Sequence, residues 1–376
     1  MVHEIALTIK PTMACNMRCK HCFNGELLNI PEQVQLRSAI RFLDIAAAEF
    51  QDIKVTFHGG EPTLAGIDFY EKVFEHQKLL AKEYGVVFSN FFTTNGLLLD
   101  DRLIDLLMEN HAMINISFDG PYNDVLRQHT EDVLSRIRRA KEKGARIRIF
   151  CTISAQSVPH LSEIYEWFKE NDLDFKILPI EPRGYVETNH ALLMDTERFL
   201  AELEQLYRVW GKDRDCRIKF YTFQEFAGLR RNMQFKPYWI NREIALNPDG
   251  KIYPFGRPND IHFCLGSPFD VERISDCFQN KEYKRLLSQM KRCAEERCGT
   301  CGSFHICRGV CICMSYVYGD DSDALKYECG MSDGIFSRIL AVNDEIIDDF
   351  RAGNTGAYND YVKEQFQPFA LEGQMP

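Results

Sequence analysis

The sequence predicts an α/β protein: an open, partial (β/α)6 barrel followed by a small cysteine-rich domain. Three observations predict it. Residues 1–215 alternate between Val/Ile/Phe-rich runs and amphipathic runs, six of each. The alternation stops near Cys216, where Pro and Gly turns and dense cysteines take over. The segments with recognisable chemistry fall at the carboxyl ends of the first four strand runs, where parallel α/β barrels hold their sites.

Strands are expected over Glu4–Ile9, Ile53–His58, Val86–Phe92, Met113–Ser117, Arg146–Ile153 and Phe175–Ile180. Their apolar runs suit parallel strands buried on both faces. Helices are expected over Gln35–Phe50, Phe69–Tyr84, Asp101–Glu109, Glu131–Lys143, His160–Asn171 and Thr196–Trp210. In the second, Phe69, Val73 and Leu79 share one face, with Glu71, Lys72 and His76 on another. Six βα units imply a parallel sheet with right-handed crossovers, and six is too few to close an eight-stranded barrel. The expected organisation is a barrel over residues 1–215, a metal-stapled domain over 216–341 and a tail over 342–376. The tail end is polar but carries Phe366 and Phe369.

Composition narrows the function. The 376 residues are 45% hydrophobic and 27% charged, ordinary for a globular chain of two or three domains. No run is long and apolar enough to span a membrane, so no membrane partner is expected. MVHEIALTIKP lacks the basic and apolar regions of a signal peptide, so a cytoplasmic location is expected. Fourteen cysteines in a reducing compartment argue for metal ligation rather than disulfides. A net charge of −10 argues against nucleic acid as a main partner. The basic run Arg136–Arg148 reads as a solvated helix face and the strand after it.

After strand one comes Cys15-Asn16-Met17-Arg18-Cys19-Lys20-His21-Cys22-Phe23, a C-x3-C-x2-C loop. Three thiolates on one loop suit three irons of a [4Fe–4S] cubane, leaving the fourth iron open for a ligand. A zinc knuckle or a few buried free thiols are the alternatives, but zinc usually takes four ligands in two pairs and no fourth is evident here. After strand two comes His58-Gly59-Gly60-Glu61-Pro62. Gly59 and Gly60 allow a ligand amino group close to the backbone, and Glu61 offers an acceptor for an ammonium. Thr94-Asn95-Gly96 follows strand three, and Ser117-Phe118-Asp119-Gly120-Pro121 ends strand four. Each alone is a turn signal. Together they form one constellation, in which Ser117 suits a ribose hydroxyl and Arg127 a ligand carboxylate. Near the chain's end stand Cys298-x2-Cys301-x5-Cys307-x3-Cys311 and then Cys329.

On these residues the whole chain resembles the radical SAM superfamily. The resemblance implies that Cys15, Cys19 and Cys22 bind a [4Fe–4S] cluster whose open iron chelates S-adenosylmethionine. Electron transfer into the sulfonium then yields a 5′-deoxyadenosyl radical that abstracts hydrogen from the substrate. It further implies that His21 lies by the adenine, Gly60 by the methionine end, Ser117 by the ribose and Arg127 by the carboxylate. Ile180 would touch adenine through its backbone. Gly59, Glu61 and Asn95 complete the cofactor-binding set. A flavodoxin or ferredoxin is the implied electron donor.

The C-terminal half resembles a SPASM domain, closest to that of anaerobic sulfatase-maturating enzymes. The shared sequence includes Ile9-Lys10-Pro11, Gly59–Gly66 and Asn247-Pro248-Asp249-Gly250-Lys251-Ile252-Tyr253-Pro254. The resemblance implies an auxiliary [4Fe–4S] cluster on Cys298, Cys301, Cys307 and Cys329, with zinc on the same four as the alternative. Two departures stand out. The position after Pro254 is Phe255, where a second auxiliary cluster takes a cysteine. The next is Gly256, where sulfatase maturases carry an aspartate base. Cys264, Cys277, Cys293, Cys311 and Cys313 are left without a role and read as buried free thiols.

The function expected first is therefore modification of a ribosomally made peptide, by crosslinking, cyclisation or epimerisation, with a peptide or protein as partner. With the sequence starting almost directly at strand one, no leader-recognition domain is expected before the barrel. Sulfatase maturation is the first alternative, and Phe255 and Gly256 count against it. A small-molecule radical dehydrogenase or epimerase is another. A non-catalytic, zinc-stapled binding protein is the fourth and fits the three motif loops poorly. The catalytic acid or base is not legible. Cys151 and Tyr221 are candidates that read equally as packed core.

Overall fold

Ile5, Leu7 and Ile9 are fully buried, while Glu4, Ala6 and Thr8 between them are part-exposed; this period of two makes Glu4–Ile9 a strand. The computed structural model describes residues 4–30, 32–230, 243–256, 263–307 and 323–372. Cys311, Cys313 and the side chain of Cys293 lie outside the described residues. The chain forms two units.

The first unit comprises Met1–Phe118, Arg127–Arg148 and Tyr238–Arg292. Its strands are β1 (Glu4–Ile9), β2 (Asp52–Phe57), β3 (Val87–Thr94) and β4 (Met113–Ser117). They pair in parallel, with Ile5 opposite Ile53, Ile53 opposite Phe88 and Phe92 opposite Ile114. Between them run helices α1 (Leu36–Ala47), α2 (Ile67–Tyr84) and α3 (Asp101–Glu109). Asp100 caps α3 by accepting the Leu103 N–H at 2.9 Å, and Gly85 ends α2 in the left-handed conformation at φ 71°. Phe57 lies edge-on to Tyr70 and Phe74 of α2, with ring centroids 5.3 and 5.7 Å away. A fully buried side chain of this kind contributes about 1.5–3 kcal/mol. Buried among them, Gln77 and Asn90 satisfy each other through two hydrogen bonds of 3.0 and 2.9 Å.

Two further strands were not expected. Glu243–Leu246 pairs in parallel with β1, placing Leu246 opposite Ile9, and Ile252–Pro254 turns back antiparallel to it. The turn Asn247–Gly250 therefore lies at the same carboxyl end of the sheet as the loop after β1.

The second unit comprises Asp119–Leu126, Ile149–Pro237 and Cys293–Pro376. There the strand Ile147–Ile153, from Ile149 on, pairs in parallel with Phe175–Pro179. Phe168, Phe175, Phe220 and Phe223 stack in series at centroid spacings of 4.3, 4.1 and 3.9 Å. Cys151 is fully buried in this core. A long helix, Asp323–Arg351, runs unbroken through residue 341 and packs on the helix Thr196–Lys212. Between them Tyr207 donates to Asn343 Oδ1 at 2.8 Å. The final helix, Asp360–Glu372, docks through Arg230, whose guanidinium lies 4.3 Å from the ring centres of both Phe366 and Phe369.

Among the described residues no helix is long and apolar enough to cross a membrane.

Candidate active site

The site grows from the backbone of the first unit. The loop leaving β1 and the loop leaving β2 are stitched together by main-chain hydrogen bonds. Gly60 N donates to Thr12 O at 3.0 Å and Glu61 N to Ala14 O at 2.8 Å. Asn24, just past the cysteine loop, donates its amide to Gly59 O at 3.0 Å. This contact explains the two glycines. A Cβ on Gly60 would lie 2.1 Å from Met13 O and 2.3 Å from Ala14 O; one on Gly59 would lie 2.3 Å from Thr12 O. Gly59 also sits at φ 125°, open only to glycine. The glycines thus bring the turn against the backbone that leads into Cys15.

Within the cysteine loop, Cys22 N donates to Cys19 O and Arg18 donates to Cys15 O. Cys15, Cys19 and Cys22 are all half-buried and none is in a disulfide. Met17 N–H reaches Cys15 Sγ at 3.5 Å, and Asn95 Nδ2 reaches it at 3.8 Å. Burial pushes the Cys15 thiol up to about 11, and the nearby Glu61, Cys19 and Cys22 add to the rise. Burial raises Cys22 as well. Desolvated thiols are neutral on their own; as thiolates they would need a bound cation to share their charge.

Glu61 has a different task from the one expected of it. Its side chain is fully buried. It accepts the Thr63 N–H at 3.1 Å, the Thr94 hydroxyl at 2.7 Å and the Asn95 N–H at 2.7 Å. Three donors occupy most of a carboxylate's four acceptor positions. Glu61 is therefore a strut between the turns after β2 and β3. Burial raises its pKa against these same donors.

His21 is half-buried, and its Nδ1 atom is buried without a hydrogen-bond partner. Burial, then the charge of Arg127, hold its pKa well below the ordinary imidazole value, so it is neutral at pH 7. The field of Arg127 also reaches Cys22, which places this half-buried arginine beside the loop. Ser117 is the last residue of β4, at the carboxyl end of the sheet.

The structure thus brings together Cys15, Cys19, Cys22, His21, Gly59, Gly60, Glu61, Asn95 and Arg127. Ile180 belongs to the second unit, buried, with its N–H on Ile153 O at 3.0 Å.

In the second unit, Cys298 and Cys307 are buried, Cys301 is half-buried and Cys329 exposed. Cys301 N donates to Cys298 O at 3.1 Å, and the Cys301 thiol donates to Asp333 at 3.6 Å. Asp333 lies one helical turn beyond Cys329. Burial, Asp333 and Cys329 all raise the Cys301 thiol. Among the described residues no three His, Cys, Asp or Glu side chains converge on a single metal ion. A cubane places each thiolate on a separate iron, wider apart than the ligands of one ion. Three half-buried thiols on one loop, N–H donors aimed at the first of them and an orphaned imidazole nitrogen on the same loop fit a cluster with a bound ligand.

Of the unassigned cysteines, Cys277 is buried and pushed up to about 12, chiefly by that burial, and Cys264 accepts the Gly266 N–H at 3.4 Å. Phe255 is mostly buried at φ 57°, and Gly256 N donates to Glu243 Oε1 at 3.0 Å. Sequence reasoning missed Asn24, Glu243 and Asp333, and the bond from Thr94 to Glu61. The asparagine directly after Cys22-Phe23 was the one legible signal, since Asn is a common loop cap.

Comparison with known proteins agrees with this geometry. Residues 9–168 match the family model described as the radical SAM superfamily. The serine-type anaerobic sulfatase-maturating enzyme of Klebsiella aerogenes is 32% identical over 350 residues, covering 87% of this chain and 83% of that one. The mycofactocin maturase MftC of Mycobacterium tuberculosis is 25% identical, covering 86% and 82%. Among solved structures, native anSMEcpe with bound AdoMet and Cp18Cys peptide superposes with a TM-score of 0.70 at 21% identity, covering 91% of this chain and 99% of that one. The chain belongs to the radical SAM superfamily and is an enzyme.

Proposed function

We propose that this enzyme abstracts a hydrogen atom from a residue of a peptide and so modifies a ribosomally made chain, by crosslinking, cyclisation or epimerisation. The observation that carries the reading is the stitched pair of loops at the carboxyl ends of β1 and β2, with three thiols on one and Gly59-Gly60-Glu61 on the other. When bound, a [4Fe–4S] cluster and S-adenosylmethionine supply hydrogen-atom abstraction from an unactivated carbon. Cys15, Cys19 and Cys22 hold the cluster. Gly59, Gly60, Glu61 and Asn95 shape the rim on which the methionine end rests. Neutral His21 faces the adenine, Ser117 the ribose and Arg127 the carboxylate. Cys298, Cys301, Cys307 and Cys329 hold an auxiliary cluster in a domain spanning 216–341, between a core of 1–215 and a tail of 342–376. Bound there, such a cluster would supply an acceptor for the electron released when crosslinking or cyclisation removes two hydrogens, and the electron donor would be a flavodoxin or ferredoxin.

Two similarities support a peptide substrate. MftC is named a maturase, and the anSMEcpe structure holds a peptide. A second reading, formylglycine formation in a sulfatase, is favoured by the 32% identity to a maturase of that kind. Phe255 and Gly256 weigh against it, since neither carries a thiol or a carboxylate.

The test is anaerobic incubation with S-adenosylmethionine, a reductant and peptides encoded beside the gene or bearing the Cys or Ser sulfatase motif. The expected result is 5′-deoxyadenosine formed in step with loss of two hydrogens, or deuterium uptake, in the neighbouring peptide. Formylglycine in the sulfatase peptide would overturn the first reading in favour of the second.

A further inference from the structure

Asn95 stands at the carboxyl end of β3 with its side-chain amide locked in one orientation. It is buried, at 8% exposure. Its backbone N–H is held by Glu61 Oε2 at 2.7 Å, and its Oδ1 accepts the Leu97 N–H at 3.0 Å. With Oδ1 committed to Leu97, Nδ2 must face the cysteine loop. One of its hydrogens goes to Asn16 Oδ1 at 2.7 Å, the other to Cys15 Sγ at 3.8 Å. A flipped amide would lose the Leu97 bond and set oxygen against both oxygen and sulfur.

The geometry points to Asn95 as a positioning residue that sets the reduction potential of the cluster on Cys15, Cys19 and Cys22, through its Nδ2–H on the Cys15 sulfur. The inference rests on the assignment of those three cysteines made above. The physics is direct. Adding an electron to a thiolate-bound cluster increases the negative charge on its sulfurs. An N–H donor stabilises that charge more in the reduced than in the oxidised form, so it raises the potential. Asn95 is buried and Cys15 half-buried, so the contact is screened less than one in open water. Glu61 has an indirect part: by gripping the Asn95 and Thr94 groups it holds the amide at the sulfur.

The test compares wild type with Asn95→Leu and Asn95→Asp. The first removes the donor; the second puts an acceptor in its place at nearly the same size. Iron per chain is measured, then the midpoint potential of the electron paramagnetic resonance signal that changes on adding S-adenosylmethionine. That response separates the N-terminal cluster from any other. Both variants should keep their iron. Their potential should fall, by about tenfold in the one-electron equilibrium (~59 mV) for Leu and by more for Asp. Unchanged potential with iron retained overturns the inference. So does loss of iron from both variants, which would make Asn95 a structural residue. If instead a Cys15/Cys19/Cys22→Ala variant keeps the S-adenosylmethionine-responsive signal, the cysteine assignment fails, whatever the Asn95 variants show.

Discussion

Glu61 Oε2 accepts the backbone N–H of Asn95 at 2.7 Å while Glu61 Oε1 accepts the Thr94 hydroxyl at 2.7 Å. One buried carboxylate thereby couples the turn after β2 to the turn after β3. Glu61→Gln turns one acceptor oxygen into a donor that must face a donor. The expected cost is about 1–3 kcal/mol, the penalty of an unsatisfied buried group. Urea unfolding should show it as a lowered midpoint, with weaker iron retention at the N-terminal loop. A variant with wild-type midpoint and full iron would mean the strut is dispensable.

Gly60→Ala should be harsher for the site than for the fold. Its new Cβ would meet Met13 O and Ala14 O, backbone atoms that cannot rotate away. The cysteine loop must shift, so the variant should lose the N-terminal cluster's share of iron while far-ultraviolet circular dichroism stays close to wild type. Gly66→Ala is no simple control, because Gly66 sits at φ 81° even though its Cβ would meet nothing within 4 Å. Gly356→Ala, with open space and no strained φ, is the proper one.

Much of this was readable in the sequence, for physical reasons that differ by element. Glu4–Ile9, Asp101–Glu109 and Met113–Ser117 form over the expected residues: the first has a burial period of two, the second an Asp100 cap, and the third a short apolar run buried at its centre. The strands Glu243–Leu246 and Ile252–Pro254 have four and three residues, too few to show a period. The cysteine and Gly-Gly-Glu loops were legible because their residue types are demanded by chemistry. What Gly60 avoids and what Glu61 holds across to the next turn were not, since those partners come from loops 33 to 47 residues away in sequence. Likewise, Asn95 reads as a turn residue until its neighbour 80 residues earlier, Cys15, is placed beside it.

Gly334 is the tight point between two long helices of the second unit. A Cβ there would come within 2.1 Å of Leu200 Cδ1, and Leu200 is buried. Gly334→Ala should destabilise by about 1–3 kcal/mol through overpacking. Combining it with Leu200→Ala should cost less than the sum of the two single changes, because each relieves the other. Strict additivity in a double-mutant cycle would contradict this packing.

Asp213 gives the fold a pH-dependent contact. It accepts from Lys169 Nζ at 2.6 Å and from the Tyr165 hydroxyl at 2.7 Å, and the Asp215 N–H reaches its other oxygen at 3.0 Å. Burial alone would raise its pKa, but Lys169, Tyr165 and the Asp215 N–H together outweigh that and lower it. A carboxyl lowered on folding stabilises above its unfolded pKa, and that stability fades as pH falls through the folded value. Asp213→Asn should therefore be less stable than wild type at pH 7, with the gap narrowing below pH ~4, the ordinary aspartate range. A gap that does not change between pH 7 and pH 3 would show that the charge of Asp213 is irrelevant.

The central claim is the proposal that Cys15, Cys19 and Cys22 hold a catalytic cluster and that the chain holds one auxiliary cluster besides. Iron and sulfide per chain, on anaerobically purified wild type and the Cys15/Cys19/Cys22→Ala variant, test it most directly. The account predicts a fall from about eight irons to about four. A fall from about twelve to about eight would contradict the single auxiliary cluster, and zinc in place of iron in the wild type would contradict the radical chemistry itself.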